Sequence, residues 1–275
     1  MALPELSIIT VTHDRREKLT KKISALQRQT LPSECLEWVL LLNACTDGTC
    51  ELLQDTHFPF DVKFLQSDVL LSASQARNRC VAASRGRVLY FSDDDCLPAL
   101  ETLERHLEAQ ATACVALGGL EFVHDDQREV WSPRQVGYWQ LNGANTSVPA
   151  DAFRRVGGFD ETLSGYGGED VLLGYMLRKL PFVALPGASA THLGANPLRG
   201  SDHGKARDAG RNAVRIAGRY PELAFRLGVS PALLTLKRGL LKKKLLGRWL
   251  EPAVYDYERA YLDGALEERN RDRTS

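Results

Sequence analysis

Short apolar runs alternate with helix-patterned polar segments along the first hundred residues. Leu6-Ser7-Ile8-Ile9-Thr10-Val11-Thr12 is β-branched and apolar on both faces, which suits a central strand of a parallel sheet. His13-Asp14-Arg15 ends it. The segment after it places Leu19, Ile23 and Leu26 on one helical face with basic residues opposite, and Pro32 lies beyond its end. Trp38 to Leu42 predicts a second buried strand, running into the turn Asn43-Ala44-Cys45-Thr46-Asp47-Gly48-Thr49 and a helix at Cys50-Glu51-Leu52-Leu53. Val62 to Leu65 predicts a third strand. Ser72 caps a helix whose apolar side is Ala73, Ala76, Cys80 and Ala83, with Gly86 at its end. Val88-Leu89-Tyr90-Phe91 is a fourth, short and buried strand. Strands and helices alternating in units of roughly 20–30 residues predict an α/β fold: a mostly parallel central sheet flanked by helices.

The second half reads differently. Leu103 to Gln110 predicts a helix, Cys114 to Val123 one or two strands, and residues 124–135 a polar loop. Tyr138-Trp139-Gln140-Leu141 leads into Asn142-Gly143-Ala144-Asn145-Thr146-Ser147. Val148 to Val156 predicts a short helix stopped by Gly157-Gly158. Tyr166-Gly167-Gly168-Glu169-Asp170 opens a helix with Leu173, Met176, Leu177 and Leu180 on one side. Pro181 to Leu185 predicts a final strand, and His192 follows seven residues later. The domain so outlined covers residues 1–199, and residues 200–275 form a helical, basic extension.

The polar clusters at residues 12–15, 43–49 and 92–95 all fall at carboxyl ends of strands, where ligands bind in such sheets, so they should share one crevice. The most demanding is Asp93-Asp94-Asp95. Adjacent acids repel one another and lose hydration inside a fold, so something positive must compensate. A divalent cation does so economically, and oxygen ligands suit Mg²⁺ or Mn²⁺. The alternative is an acidic loop in water that caps a helix beginning near Leu100.

Composition is that of an ordinary globular protein: 275 residues, 44% hydrophobic and 25% charged, with a formal net charge of zero, which argues against a global nucleic-acid footprint. The charge is uneven. Leu223 to Leu250 contains no acid but holds Arg226, Lys237, Arg238, Lys242, Lys243, Lys244 and Arg248. Residues 233–250 mix these with leucines, a pattern that suits either peripheral contact with an anionic membrane or a helix packed on the domain with its basic face in water. No apolar run reaches transmembrane length, and the amino terminus lacks a signal-peptide pattern. The six cysteines form no CxxC pair and read as reduced, mostly buried thiols. These features predict a cytoplasmic protein, with peripheral attachment to the inner face of the membrane left open.

Four pieces in this order resemble the GT-A glycosyltransferases of the family 2 type: Ser7-Ile8-Ile9-Thr10-Val11-Thr12; Asn43 to Thr49; Ala76-Arg77-Asn78 leading into Tyr90-Phe91-Ser92-Asp93-Asp94-Asp95; and Gly157-Gly158-Phe159-Asp160-Glu161 followed by Gly167-Gly168-Glu169-Asp170. The last piece is most similar to the galactosyl- and N-acetylgalactosaminyltransferase branch, in which a GGED segment and a later histidine recur. The resemblance implies a GT-A nucleotide-diphospho-sugar transferase fold and a metal-dependent transfer of sugar from a UDP-sugar to an acceptor hydroxyl, inverting by default, in glycan or polysaccharide synthesis. The acceptor would be a glycan, a lipid-linked molecule or a small molecule. Asp93 and Asp95 would form the DxD motif, with Asp95 a direct metal ligand, Asp93 facing the ribose or the metal, and Asp94 beside them on the donor. His192 would be the third metal ligand and would favour Mn²⁺ over Mg²⁺, although a lone histidine after a strand is also an ordinary structural residue.

Thr12, Asp14, Asn43 and Asp47 would form the nucleoside pocket, and Arg77 would contact the nucleotide. Leu42 stands where the family often has an acid, which puts more of base recognition on Asn43 and backbone groups. Asp170 would be the general base and Glu169 would hold sugar hydroxyls; the alternative is a pair of acids at a helix N-terminus. The two glycines before them would let a backbone approach a ligand closely. Trp131, Tyr138 and Trp139 would flank the acceptor side or fill a core, and Asn142, Gly143 and Asn145 would line the sugar pocket. Two rivals remain. A sugar-nucleotide nucleotidyltransferase would want a glycine-rich loop after the first strand, and His13-Asp14-Arg15-Arg16 has no glycine. A non-catalytic sugar-binding protein on this scaffold would not need the intact Asp93, Asp95, Glu169 and Asp170.

Overall fold

The structure is a computed structural model that describes residues 3–194, 202–242 and 250–271. The chain forms two compact units, Met1–Asp160 with Leu173–Ala195 and Glu161–Leu172 with Asn196–Ser275.

In the first unit, strands β1 (Leu6–Thr12), β2 (Leu36–Asn43), β3 (Asp61–Ser67) and β4 (Val88–Phe91) lie in the order β3-β2-β1-β4, all parallel. Every residue of β2 and β4 is buried. Their side chains divide by strand periodicity. Ile8, Trp38, Leu40 and Tyr90 join Leu19, Ile23 and Leu26 of α1 (Arg16–Leu26) in one cluster. Ile9, Val39, Leu41, Leu89 and Phe91 join Ala76, Cys80 and Val81 of α3 (Ala73–Ala83) in the other. Between these helices, α2 (Thr49–Gln54) follows the turn after β2. Ser72 and Gln75 form the reciprocal cap that starts α3.

Past β4 the sheet becomes mixed. It continues through β8 (Thr146–Pro149), β6 (Val115–His124), β9 (Phe182–Leu193) and β5 (Cys96–Pro98), with β7 (Gln127–Trp131) paired to β6. β8 runs antiparallel to β4 and β6, β9 parallel to β6, and β5 antiparallel to β9. The helices here are α4 (Thr102–Ala109) and α5 (Ala150–Arg155); α6 (Glu169–Met176) starts in the second unit and ends in the first. Three local expectations are corrected. Residues 127–131 are strand, because an Asp125-Asp126 turn, with Asp125 at φ +52, folds them back on β6. Val148 belongs to β8, and the helix starts only at Ala150. The last strand does not stop at Pro186: a register shift opposite Gly118 and Gly119 absorbs residues 186–188, and pairing resumes to Leu193.

Asn145 mends that shift. Its Nδ2 donates to Gly119 O at 2.8 Å and to Ala188 O at 2.9 Å, while its Oδ1 accepts from Tyr90 Oη and from His106 Nε2, each at 2.9 Å. A side chain at Gly118 would collide with Ala188 O and the Asn145 amide. His106 completes the network with Nδ1 against Ser147 Oγ at 2.9 Å. Asn145 is therefore a fully buried core residue and does not line a sugar pocket.

In the second unit, α7 (His203–Arg219) packs on α9 (Pro252–Arg271), and α8 (Pro231–Lys242) joins them through Leu234, which clusters with Ala213, Leu262 and Ala265. A Cβ on Gly210 would lie 2.0 Å from Tyr261 O, and one on Gly264 2.0 Å from Arg207 O, so glycine at both positions permits the crossing. Arg211–Glu267 at 2.7 Å and Arg215–Glu268 at 2.6 Å flank it. Of the basic segment 233–250, residues 243–249 lie outside the described residues, and Lys237 is paired with Glu258 at 2.9 Å. Among the described residues no helix is long and apolar enough to cross a membrane.

Two outcomes follow from packing and burial. Gly264→Leu should destabilise the chain by about 1–3 kcal/mol through overpacking, read from chemical denaturation. Burial pushes His106 down to about 4, from 6.5. As pH falls between those values the unfolded chain takes a proton that the native state refuses, so this contribution is intact above the upper value and is lost toward the lower one. Urea unfolding across that window should show a fall of about 3 kcal/mol, and a smaller one in His106→Asn.

Candidate active site

The acid triplet begins where β4 ends. Ser92 N donates to Ile9 O at 3.1 Å and Thr10 Oγ1 donates to Ser92 O at 2.9 Å, which fixes the chain at the carboxyl edge of β1. Three cations of the first helix region then meet the turn. Arg15, Lys18 and Lys22 follow one another at helical spacing beside the apolar stripe of α1. Lys22 is wholly buried, and its Nζ donates to Ser92 Oγ at 2.6 Å, Asp93 O at 2.9 Å and Cys96 O at 3.0 Å. Arg15 donates to Asp95 Oδ2 at 2.6 Å and Asp94 Oδ1 at 3.3 Å. Lys18 donates to the same Asp95 Oδ2 at 3.0 Å and to Leu193 O at 2.8 Å. On the other side Arg77, whose side chain is only 12% exposed, pairs with Asp93 at 2.9 Å.

This corrects the reading of α1 at Lys18 and Lys22, which turn to the acid triplet, while Arg16 and Lys21 stay exposed as expected. It also corrects the charge argument: the chain itself supplies cations to all three acids, so balance alone does not demand a metal. The carboxylates are not equivalent. Burial, with Asp95 adding to it, pushes Asp94 up to about 6 against the opposing pull of Arg15 and the Thr12 hydroxyl, which donates to Asp94 at 2.8 Å. Burial also acts on Asp95, but His192, Lys18 and Arg15 outweigh it and hold that carboxyl below its ordinary value.

His192 arrives through the sheet. The strand β5 starts immediately after the triplet and pairs antiparallel with the end of β9, setting Cys96 opposite His192. Leu193 N donates to Asp95 O at 2.9 Å, and His192 Nε2 stands 3.5 Å from Asp95 Oδ1. The histidine is thus inside the last strand, not in a loop beyond it. Asp95, Cys96 and His192 offer ligand atoms within 4.8 Å of one another. Burial raises the Cys96 thiol well above its usual range, which leaves carboxylate and imidazole as the useful donors. His192 Nδ1 is buried with no hydrogen-bond partner among the described residues. The Asp95 carboxylate and the His192 Nε2 beside it are a donor pair that would suit a divalent transition ion such as Mn²⁺.

The residues expected on the nucleoside side gather at the neighbouring strand ends. Asp14, in a left-handed conformation at φ +49, accepts from Thr46 N at 2.6 Å. His13 Nδ1 lies 2.7 Å from Asn43 O. Asn43 pairs both side-chain groups with the backbone of Leu71, at 2.8 and 3.0 Å. Asp47 accepts from Arg16 N at 2.8 Å and from Thr49 N at 3.1 Å, which caps α2. The three polar clusters therefore do converge, held by each other's side chains.

Glu169 and Asp170 stand in the first turn of α6, in the second unit. The turn before them is built by Gly165, Gly167 and Gly168 at φ +74, +86 and +96. Asn212 Nδ2 of α7 holds it, donating to Ser164 O at 3.0 Å and Gly167 O at 2.8 Å. A Cβ on Gly168 would come 3.0 Å from Ile216 Cδ1, so these glycines serve left-handed backbone and packing on α7. Of the aromatic residues, Trp131 packs against core clusters, while Trp139 is 44% exposed and meets Tyr138 edge-on, as Tyr138 meets Tyr175. The residues missed from sequence are Arg15, Lys18 and Lys22; their spacing beside the Leu19 stripe was the available signal.

The family model described as Glycosyl transferase family 2 matches residues 7–166. Among characterised relatives, validoxylamine A glucosyltransferase of Streptomyces hygroscopicus subsp. jinggangensis is 28% identical over 222 residues, covering 64% of this chain and 52% of that protein. The chain thus spans about half the length of that relative. Among solved structures, a mannosyltransferase of Pyrobaculum calidifontis in complex with GDP-Man and Mn²⁺ superposes with a TM-score of 0.67 at 17% identity, over 99% of this chain and 88% of that one. GalNAc-T7 with UDP, GalNAc and Mn²⁺ gives 0.61 at 14% identity, over 77% and 48%. Both similarities establish the fold.

Lys22→Met should test the buried ammonium. It leaves a hydroxyl and two carbonyls without their donor, and should cost about 3 kcal/mol in chemical denaturation.

Proposed function

The chain belongs to glycosyl transferase family 2, and from that premise we propose that it moves a sugar from a UDP-sugar to an acceptor hydroxyl, with a divalent cation held by Asp95 and His192. The chain is a glycosyltransferase with the GT-A fold. The observation that carries the finer reading is the β5–β9 pairing, which sets an imidazole against the last acid of the triplet.

In this reading Asp93 faces the metal or the ribose, and Asp94 and Arg77 lie along the nucleotide. Thr12, Asp14, Asn43 and Asp47 shape the nucleoside end through the loops they hold together. A bound Mn²⁺ or Mg²⁺ supplies positive charge to the leaving diphosphate. Asp170 takes the proton of the acceptor hydroxyl as its oxygen attacks the anomeric carbon, and a single displacement inverts that centre. The helix N-terminus favours the charged carboxylate that a base requires. Glu169 orients sugar hydroxyls. The acceptor is a glycan, a lipid-linked molecule or a small molecule.

Calorimetric titration of UDP, with GDP in parallel because a similar structure carries GDP-Man, tests the donor. UDP should bind with Mn²⁺ and lose most of its affinity in EDTA; preference for GDP, or indifference to chelation, would sink the corresponding part of the reading. Asp170→Asn should keep UDP and Mn²⁺ binding and lower sugar transfer by about a hundredfold or more. Unchanged transfer would remove Asp170 as the base.

A further inference from the structure

Among the described residues four basic side chains surround the acid triplet, and they fall into two kinds. Lys22 is wholly buried and bonded to the turn's backbone, and Arg77 is 12% exposed against Asp93. Arg15 and Lys18 are different: their side chains are 44% and 37% exposed, and both converge on one oxygen, Asp95 Oδ2, at 2.6 and 3.0 Å. The other oxygen, Oδ1, is the one facing His192. The two partly exposed cations thus cover the carboxylate proposed as the metal ligand, at the strand ends where a donor would enter.

Charge decides what they are for. Asp93, Asp94 and Asp95 face Arg15, Lys18, Lys22 and Arg77, which among the described residues leaves a surplus of one positive charge. A dication entering alone would raise that surplus to about three in a partly desolvated site, where like charges repel strongly. A nucleotide-sugar diphosphate brings about two negative charges and returns the site near its starting balance. Guanidinium and ammonium groups are also the natural donors to phosphate oxygens.

We propose that Arg15 and Lys18 are ligands of the donor diphosphate and that, until the donor arrives, they occupy Asp95 in place of the divalent cation. The proposal rests on the nucleotide-sugar reading above. Loading is then an exchange: the diphosphate draws the two side chains off Asp95, and the carboxylate becomes available to the metal. Metal and diphosphate must assist each other's binding to the same degree, because the coupling is reciprocal.

The test is Mn²⁺ binding to the full chain, read from the electron paramagnetic resonance of the free aquo ion, with and without UDP. In the wild type UDP should tighten Mn²⁺ binding by about tenfold or more. The double variant Arg15→Gln, Lys18→Gln should bind Mn²⁺ alone about tenfold more tightly than wild type, bind UDP more weakly in EDTA, and show coupling reduced to about threefold or less. Lys18→Gln alone, which keeps the Arg15 bonds, should move each value part of the way and serves if the double variant melts early. Mn²⁺ affinity that is unchanged or weaker in both variants overturns the exchange while leaving the metal site standing. Absence of Mn²⁺ binding in every form, with and without UDP, overturns the exchange together with the metal reading.

Discussion

The site depends on one ammonium group that never meets water. A lysine has three N–H donors, and Lys22 finds three acceptors: Ser92 Oγ, Asp93 O and Cys96 O. The two carbonyls bracket Asp94 and Asp95, so the backbone of the acid turn is clamped from inside the protein and its carboxylates are left to face the strand ends. Burial lowers the lysine's affinity for its proton, and the neighbouring Cys96 and acid triplet act against that. Each side makes the other tenable: without the acids the buried ammonium would be too costly, and without the ammonium three adjacent carboxylates would have no fixed shape.

The second half of the site is delivered by the sheet. His192 faces Asp95 because β5 and β9 pair, and β9 reaches that far only because the register shift at Gly118–Gly119 is repaired by Asn145. Asn145 is in turn held by Tyr90 and by a neutral His106. A continuous set of buried hydrogen bonds therefore links the core of β4 to the strand that carries the imidazole. Such a network rigidifies when fully satisfied, which holds the Asp95 carboxylate and the His192 imidazole, from distant parts of the chain, in a fixed relation.

The parallel half of the sheet was legible from sequence because its strands are buried on both faces and read as continuous apolar runs, as in Trp38 to Leu42. The convergence of residues 12–15, 43–49 and 92–95 was legible too, since strand direction alone puts them on one edge. What was not legible shares one physical character. Strand β5 is three residues long and has no pattern of its own; β9 passes through a proline that a local reading takes as a stop. Lys22 and Ser92 are 70 residues apart, and a charge-by-charge reading along the chain counts three acids without their partners. Asn145 sits in a polar run that suggests a sugar pocket, yet its amide is spent entirely inside the core, on two backbone carbonyls and on Tyr90 and His106.

The same dependence on interior satisfaction governs the second unit, where the helical extension supports the turn that carries the proposed base. A turn with three left-handed glycines has much conformational freedom in the unfolded chain and is costly to order. The holding is done by α7, through the two bonds from Asn212 and the contact of Ile216 with Gly168. That helix is fixed by its glycine crossing with α9 and by the Arg211–Glu267 and Arg215–Glu268 pairs. The backbone that presents Glu169 and Asp170 is therefore set by residues more than forty positions later, and the basic residues of α7 that pair with α9 act within the fold. The extension is therefore what fixes the turn from which the proposed base is presented.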